Sequence, residues 1–240
     1  MLYSFAGFII DIRFQHSYGK EMCERYAYHG GGKADFVIEV DEAMLAKERE
    51  YDLYKSSDGM LESLAAYRKI CDIAFDYDCM FMHCSAISYK GNGILFTAPS
   101  GTGKSTHSAL WKKHFGEDVT VVNDDKPLLK FQKDDILVCG TPWDGKHRQS
   151  ANILVPIKAI VILSQGTVNE ITRASDKEAM YHILNQTIRP SDAVKMGVVL
   201  EHCERMLSTV PIYTLKCTIS DEAVMTVYNE IKEFLDEDKV

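Results

Sequence analysis

Short apolar runs alternate with amphipathic stretches along most of the chain, the pattern of strands and helices taken in turn. The opening segment Met1-Leu2-Tyr3-Ser4-Phe5-Ala6-Gly7-Phe8-Ile9-Ile10 is apolar until Asp11 and Arg13 cut it short, which predicts a strand. Phe36-Val37-Ile38-Glu39-Val40 alternates loosely and predicts another, preceded by Gly30-Gly31-Gly32 as a flexible turn. From residue 58 to residue 76, Met60, Leu61, Leu64, Ala65, Ile70 and Ile73 fit an amphipathic helix. Residues 81–89 and 94–98 read as two strands joined by the tight turn Lys90-Gly91-Asn92-Gly93, in which glycine and asparagine supply positive φ angles. A helix is expected over residues 105–115, then a short β-branched strand over 119–122 that ends at Asn123-Asp124-Asp125. Residues 128–131 and 136–138 predict a hairpin around Lys133-Asp134-Asp135. The almost continuous apolar run 157–163 predicts a central strand covered on both faces. Ser175 with Glu178 is a capping-box pattern that opens a helix to residue 187; Pro190-Ser191 opens the next, 211–217 is a strand, and Ser220 starts a terminal helix.

These elements predict an α/β fold, a mixed β-sheet flanked by helices, in the main domain at residues 58–240. Residues 1–57 are expected to form a small β-rich N-terminal extension with irregular connections. The run His29-Gly30-Gly31-Gly32-Lys33 reads as a loop, because it lacks phosphate-loop spacing and a following helix.

Over 240 residues the net charge is -8, which argues against a general binder of nucleic acid or anionic membrane. The seven cysteines are scattered, odd in number and without a C-x-x-C pair, so reduced thiols are expected rather than disulfides or zinc. The apolar N-terminus has no basic stretch before it, and no run approaches the ~20 apolar residues of a spanning helix. A cytoplasmic location is the expectation.

The densest chemistry lies at Ala98-Pro99-Ser100-Gly101-Thr102-Gly103-Lys104-Ser105-Thr106, between an expected strand and an expected helix. This is the arrangement of a phosphate-binding loop (Walker A, or P-loop). Gly101 and Gly103 let the backbone curl so that successive N–H groups point at phosphate oxygens, and the helix N-terminus adds its positive end. Lys104 would reach the β- and γ-phosphates of a nucleotide such as ATP, and the Ser105 hydroxyl would ligate Mg²⁺. Ser100, Thr102 and Thr106 complete the nucleotide-binding set. Ala98 replaces the usual first glycine, a position that accepts a small residue only at negative φ.

Asp124 and Asp125 fall at the end of the next apolar strand, where a metal-binding aspartate of a phosphate-loop enzyme belongs. One carboxylate would hold Mg²⁺ and the other would accept the proton of an attacking hydroxyl. Between two strands, Gly140-Thr141-Pro142-Trp143-Asp144-Gly145-Lys146-His147-Arg148 is a polar loop carrying three potential cations. Arg148 or Lys146 can stabilise a transferring phosphoryl group, and Trp143 can stack on a base or a substrate ring.

His83-Cys84-Ser85-Ala86, then Gly91-Asn92-Gly93-Ile94-Leu95-Phe96, the loop and Asn123-Asp124-Asp125 together resemble the catalytic domain of HPr kinase/phosphorylase. They also resemble the nucleotide half of ATP-dependent phosphoenolpyruvate carboxykinase. The resemblance spans residues 80–165 and implies a nucleotide-dependent phosphotransferase on a fold of that type. It implies Asp124 as base, Asp125 as metal partner beside Ser105, and His83 on the first hairpin strand near the γ-phosphate. It also implies a homo-oligomer. Thr106 departs from the acid usual after Lys-Ser in HPr kinases, and no counterpart of their protein-gripping segment occurs. The chain has no room for the extra lobe of a carboxykinase.

The sequence therefore reads as an ATP- and Mg-dependent kinase acting on a hydroxyl of a peptide, a protein or a small metabolite. The alternatives are an ATP-binding regulator without transfer and a carboxykinase-like enzyme. No Asn-Lys-x-Asp or Ser-Gly-Gly-Gln motif occurs, so the GTPase and transporter-ATPase classes fit poorly.

Overall fold

The computed structural model describes residues 1–236. Strands β1 (Leu2–Phe5) and β2 (Phe8–Ile12) form a hairpin, and β3 (Phe36–Ile38) joins β2 in parallel to close a three-stranded sheet. The hairpin turns on Ala6 and Gly7, both at positive φ, as a two-residue turn of this twist requires. The N-terminal segment is less purely β than its sequence suggested, since it also contains helices α1 (Ser17–Met22) and α2 (Glu42–Tyr51). Helix α2 buries only Leu45 and Glu48, so it carries no apolar stripe for periodicity to detect. It is held instead by the Asp41 side chain, which accepts from Met44 N, and by Glu48, which pairs with Arg68.

Helix α3 (Asp58–Ala74) starts where expected, with Ser57 Oγ accepting from Met60 N. Its Ala66, Ile70 and Cys71 share one apolar cluster with Tyr3, Phe5, Ile10, Ile12 and Ile38 of the small sheet. The single strand expected over 81–89 is in fact two: β4 (Cys79–Phe81) and β5 (Ser85–Tyr89). In the gap the chain leaves one neighbour for another. Met82 N donates to Pro127 O, His83 N to Gln186 O and Cys84 N to Asp125 O. Met82 and Cys84 in the gap are as buried as the strands beside them, so hydrophobicity alone cannot mark the break.

Strand β6 (Asn92–Thr97) follows β5 through a two-residue turn, and Lys90 and Gly91 hold the positive φ angles. Asn92 and Gly93 already belong to β6, contrary to the sequence expectation, and Asn92 Nδ2 donates to Leu235 O. There follow α4 (Lys104–Phe115), β7 (Val119–Asn123), β8 (Leu128–Phe131), β9 (Ile136–Cys139) and β10 (Leu154–Gln165). The chain continues through β11 (Glu170–Arg173), α5 (Asp176–Asn185), α6 (Ala193–Thr209), β12 (Ile212–Cys217) and α7 (Asp221–Asp236). Ser175 Oγ accepts from Glu178 N, as the capping pattern predicts. Helix α6 opens at Asp192, whose side chain caps Lys195 N, rather than at Pro190-Ser191. The edge strand β11 was not legible, being short and mostly exposed.

The large sheet has nine strands along the path β4-β8-β9-β10-β6-β5-β7, with β12 against β10 and β11 beyond it. Strand β10 is its spine. Residues 154–156 run antiparallel to β9, while residues 157–165 run parallel to β6 on one side and β12 on the other. On one face Trp111 of α4 and Val224, Val227 and Ile231 of α7 cover Phe96, Val161 and Leu215. On the other, Ile183 of α5 and Val199 and Met206 of α6 cover Leu95, Val138 and Ile160. The result is a mixed sheet flanked by helices, with a small N-terminal sheet beside it. No described helix is long and apolar enough to cross a membrane, and the seven cysteines are all free thiols.

Candidate functional site

The parallel core aims β6 at the start of α4, and the loop between them holds the glycine pattern. Ala98 is fully buried and is not among the residues at positive φ, so the missing first glycine is tolerated. Gly101 and Gly103 do need their freedom, with φ of 81° and 115°, although no atom lies within 4 Å of an added Cβ at either. Thr102 closes the turn, its N and Oγ1 both donating to Pro99 O. Lys104 opens the helix, buried, with Nζ donating to Ala98 O at 3.0 Å. Burial lowers its pKa, against the opposing pull of Cys84, Asp125 and Asp124.

Across from the loop, Asn123 fixes the turn that carries the aspartate pair. Its Oδ1 accepts from Asp125 N at 2.9 Å and Lys126 N at 2.8 Å, and its Nδ2 donates to Thr141 O and Oγ1. Thr141 Oγ1 donates in turn to Lys126 O. Asp124 accepts from Ser85 Oγ at 2.7 Å, and that hydroxyl also lies 2.7 Å from Ser108 Oγ. Asp125 contacts Lys126 Nζ through Oδ2 and His83 Nε2 through Oδ1, the latter at 3.3 Å. Burial by itself would raise the Asp125 pKa, but the hydrogen bonds and charges of His83 and Lys126 outweigh it and hold the carboxyl below its ordinary range. His83 Nδ1 lies 2.9 Å from Gln186 Oε1, so the helix α5 terminus orients the ring.

These elements meet at a cavity of about 400 Å³. Ser100, Gly101, Gly103, Lys104, Ser105 and Thr106 line one side, and His83, Asp124, Asp125, Gly145, Lys146 and His147 line the other. Two more cavities adjoin it. One of about 510 Å³ shares Gly101, Gly103 and Thr106 with it and extends over Leu110, Leu163, Gln165 and Ile219. The other, about 410 Å³, shares Asp125, Gly145 and Lys146 and extends under α1 and α3.

The sequence candidates thus converge, with three exceptions. Thr102 lines only the adjoining cavity of about 510 Å³. Arg148 lines the cavity under α1 instead, its guanidinium 5.8 Å from the Tyr18 ring centre. Trp143 is not a stacking platform on the surface. It is buried against Phe5 and Tyr67, with Nε1 donating to Ser63 O at 3.1 Å. His83 is in the site but stands in the β4–β5 gap rather than on a hairpin strand. Sequence reasoning gave no role to Ser85, Ser108 or Gln186. The two serines are unremarkable in a strand and a helix, and Gln186 is distant in the chain from the histidine it meets.

The oxygen donors, a serine hydroxyl and two carboxylates, are hard ligands of the kind magnesium prefers. No group of three or more His, Cys, Asp or Glu is placed to hold a metal among the described residues. A magnesium ion bound by one or two carboxylates and substrate phosphates needs no such cage, so the residues fit that ion.

Fold and site define a class: an α/β protein whose central sheet feeds a glycine-rich turn into a helix N-terminus, opposite a pair of fixed carboxylates. Its family is defined by sequence. Residues 54–231 match the model of the SynChlorMet cassette protein ScmC, and the chain belongs to that family. No curated protein matches the chain. Among solved structures, the HPr(Ser) kinase/phosphatase of Coxiella burnetii is similar at 10% identity and a TM-score of 0.37, over 65% of this chain and 98% of that one. Overlap of that size says nothing about activity.

Proposed function

We propose that the protein is a nucleotide-dependent phosphotransferase that moves the γ-phosphoryl group of ATP to a hydroxyl. The observation that carries this reading is the single cavity in which Lys104 and Ser105 face Asp124, Asp125 and His83. Base and ribose would lie in the adjoining cavity over Leu110 and Ile219, and the phosphates in the curl of Gly101 and Gly103. Ser105 and Asp124 would hold Mg²⁺, which neutralises charge on the β- and γ-phosphates.

Asp125 borders both the phosphate cavity and the cavity under α1, whereas Asp124 borders only the first. Asp125 is therefore the carboxylate assigned to the acceptor, the reverse of the division that the family resemblance implies. The acceptor oxygen attacks the γ-phosphorus, the bond to the β–γ bridging oxygen breaks, and ADP leaves with the electron pair. The hydroxyl proton passes to Asp125 and on to solvent. A depressed pKa makes Asp125 a weak base, which suits a loose transition state in which orientation matters more than early proton removal. Lys104 supplies charge to the γ-phosphate.

The test is a thermal-shift titration with Mg²⁺ and ATP on wild type and Lys104→Ala, followed by assay of transfer. At about 100 times its dissociation constant a nucleotide stabilises the fold by roughly 2.7 kcal/mol. A shift in wild type that Lys104→Ala loses supports the reading, and no shift with any nucleotide overturns it.

A further inference from the structure

The cavity under α1 is walled by Tyr18, Met22, Met60, Leu64 and the 142–148 loop, and Asp125 stands at the point where it opens to the phosphate cavity. We propose that this is the acceptor site, and that the acceptor is a small hydroxylated molecule with an apolar body and a carboxylate. The assignment rests on the phosphotransferase reading given above.

Size comes first. A volume of about 410 Å³ lies within the ~300–1,000 Å³ of small-molecule sites. The recess is a half-open cleft between two helices and a loop, of a size that a small molecule fills. The apolar wall comes second. Met22, Met60 and Leu64, with the edge of Trp143, offer an adaptable hydrophobic surface to a ring or a branched chain.

Charge decides the rest. The two carboxylates of this cavity are already engaged: Asp125 by Lys126 and His83, and Asp144 by Arg25, Ser150 N and Ser150 Oγ. Lys146 and Arg148, in contrast, make no ion pair among the described residues. The rim of the cavity thus carries two solvent-exposed cations without an ion-pair partner, which an anionic ligand would engage. Arg148 is also held at φ +47°, a left-handed conformation uncommon for a residue other than glycine, on the loop that turns at Gly145. A carboxylate between Arg148 and Lys146 would leave the apolar body over Met60 and Leu64 and the hydroxyl toward Asp125.

The probe is 3-phenyllactate, which carries a hydroxyl, an aromatic ring and a carboxylate, and its uncharged partner is 3-phenylpropane-1,2-diol. Binding of each is measured by calorimetry to the full chain with Mg²⁺ and β,γ-imido-ATP, for wild type, Arg148→Gln and Met60→Glu. Met60 is partly exposed, so the glutamate places a negative charge on the wall without disturbing the core. The expected result is that phenyllactate binds wild type about tenfold more tightly than the diol. It also binds each variant about tenfold more weakly, which is the effect of ~1.4 kcal/mol. β,γ-Imido-ATP affinity, titrated separately, is expected to be the same in all three proteins.

Nucleotide binding without phenyllactate binding, or phenyllactate affinity indifferent to both substitutions, overturns the acceptor site and leaves the phosphotransferase reading in place. Phenyllactate binding without nucleotide binding overturns both. Binding of the acetylated, amidated peptide Phe-Ser-Asp in place of phenyllactate overturns the small-molecule assignment in favour of a peptide.

Discussion

His83 Nε2 lies 3.3 Å from Asp125 Oδ1, although the histidine sits in a gap between two strands and the aspartate lies beyond the end of a third. The contact exists because the gap folds onto the aspartate turn, with Cys84 N donating to Asp125 O and Gln186 holding the far side of the ring. Replacement of His83 by Asn should remove one of the two groups that hold the Asp125 pKa down, leaving burial less opposed. The pKa should then rise. If ionised Asp125 accepts the acceptor's hydroxyl, the acid limb of the rate profile moves to higher pH and turnover falls by about tenfold to a hundredfold. An unmoved acid limb would show that Asp125 is not the titrating group.

Ser85 ties Asp124 to Ser108, and its hydroxyl is fully buried. Ser85→Ala should leave a partly buried carboxylate without a donor, at a cost of about 1.5–3 kcal/mol. Chemical denaturation would measure this. Ser108→Ala keeps the Ser85–Asp124 bond and should cost less. Mg²⁺-dependent nucleotide affinity should fall in the first variant and hold in the second.

Trp143 is packed like a core residue, so Trp143→Ala should destabilise the fold by about 3–5 kcal/mol. Trp143→Phe should cost less and leave Ser63 O without its indole donor. Neither change should alter nucleotide affinity in protein that remains folded. Loss of nucleotide binding in Trp143→Phe at intact stability would reinstate the stacking role suggested by its position in a polar loop.

Burial pushes the pKa of His107 down to about 4, and its Nε2 accepts from Trp111 Nε1. A histidine that stays neutral in the folded state contributes stability that is full above its ordinary value near 6.5 and is lost as pH falls toward 4. The slope is about 1.4 kcal/mol per pH unit, so His107 accounts for roughly 3 kcal/mol across the window. His202, pushed down to about 4 by burial, acts in the same direction. Unfolding free energies measured between pH 4 and 7 should rise with pH accordingly, and His107→Gln should reduce that slope by about one proton's worth.

The sequence by itself determined what depends on neighbours along the chain. The turn at Gly101 and Gly103 needs positive φ, the start of α4 follows it directly, and Asn123-Asp124-Asp125 ends a β-branched run. The middle of strand β10 was legible for the same reason, because a strand covered on both faces is almost continuously apolar, whereas its ends at 154–156 and 164–165 were not. Tertiary structure decided the rest. The β4–β5 break lies in uniformly buried residues, and α2 has no apolar stripe, so neither leaves a periodic trace. Trp143 looked like a surface residue because its neighbours are polar, yet Phe5 and Tyr67 cover it from elsewhere in the chain. Asp124 and Asp125 are adjacent in sequence, but Ser85 holds one while His83 and Lys126 hold the other. Which cavity each lines also differs, Asp125 bordering two and Asp124 one, and residue order does not encode that, because hydrogen bonds and burial act through space.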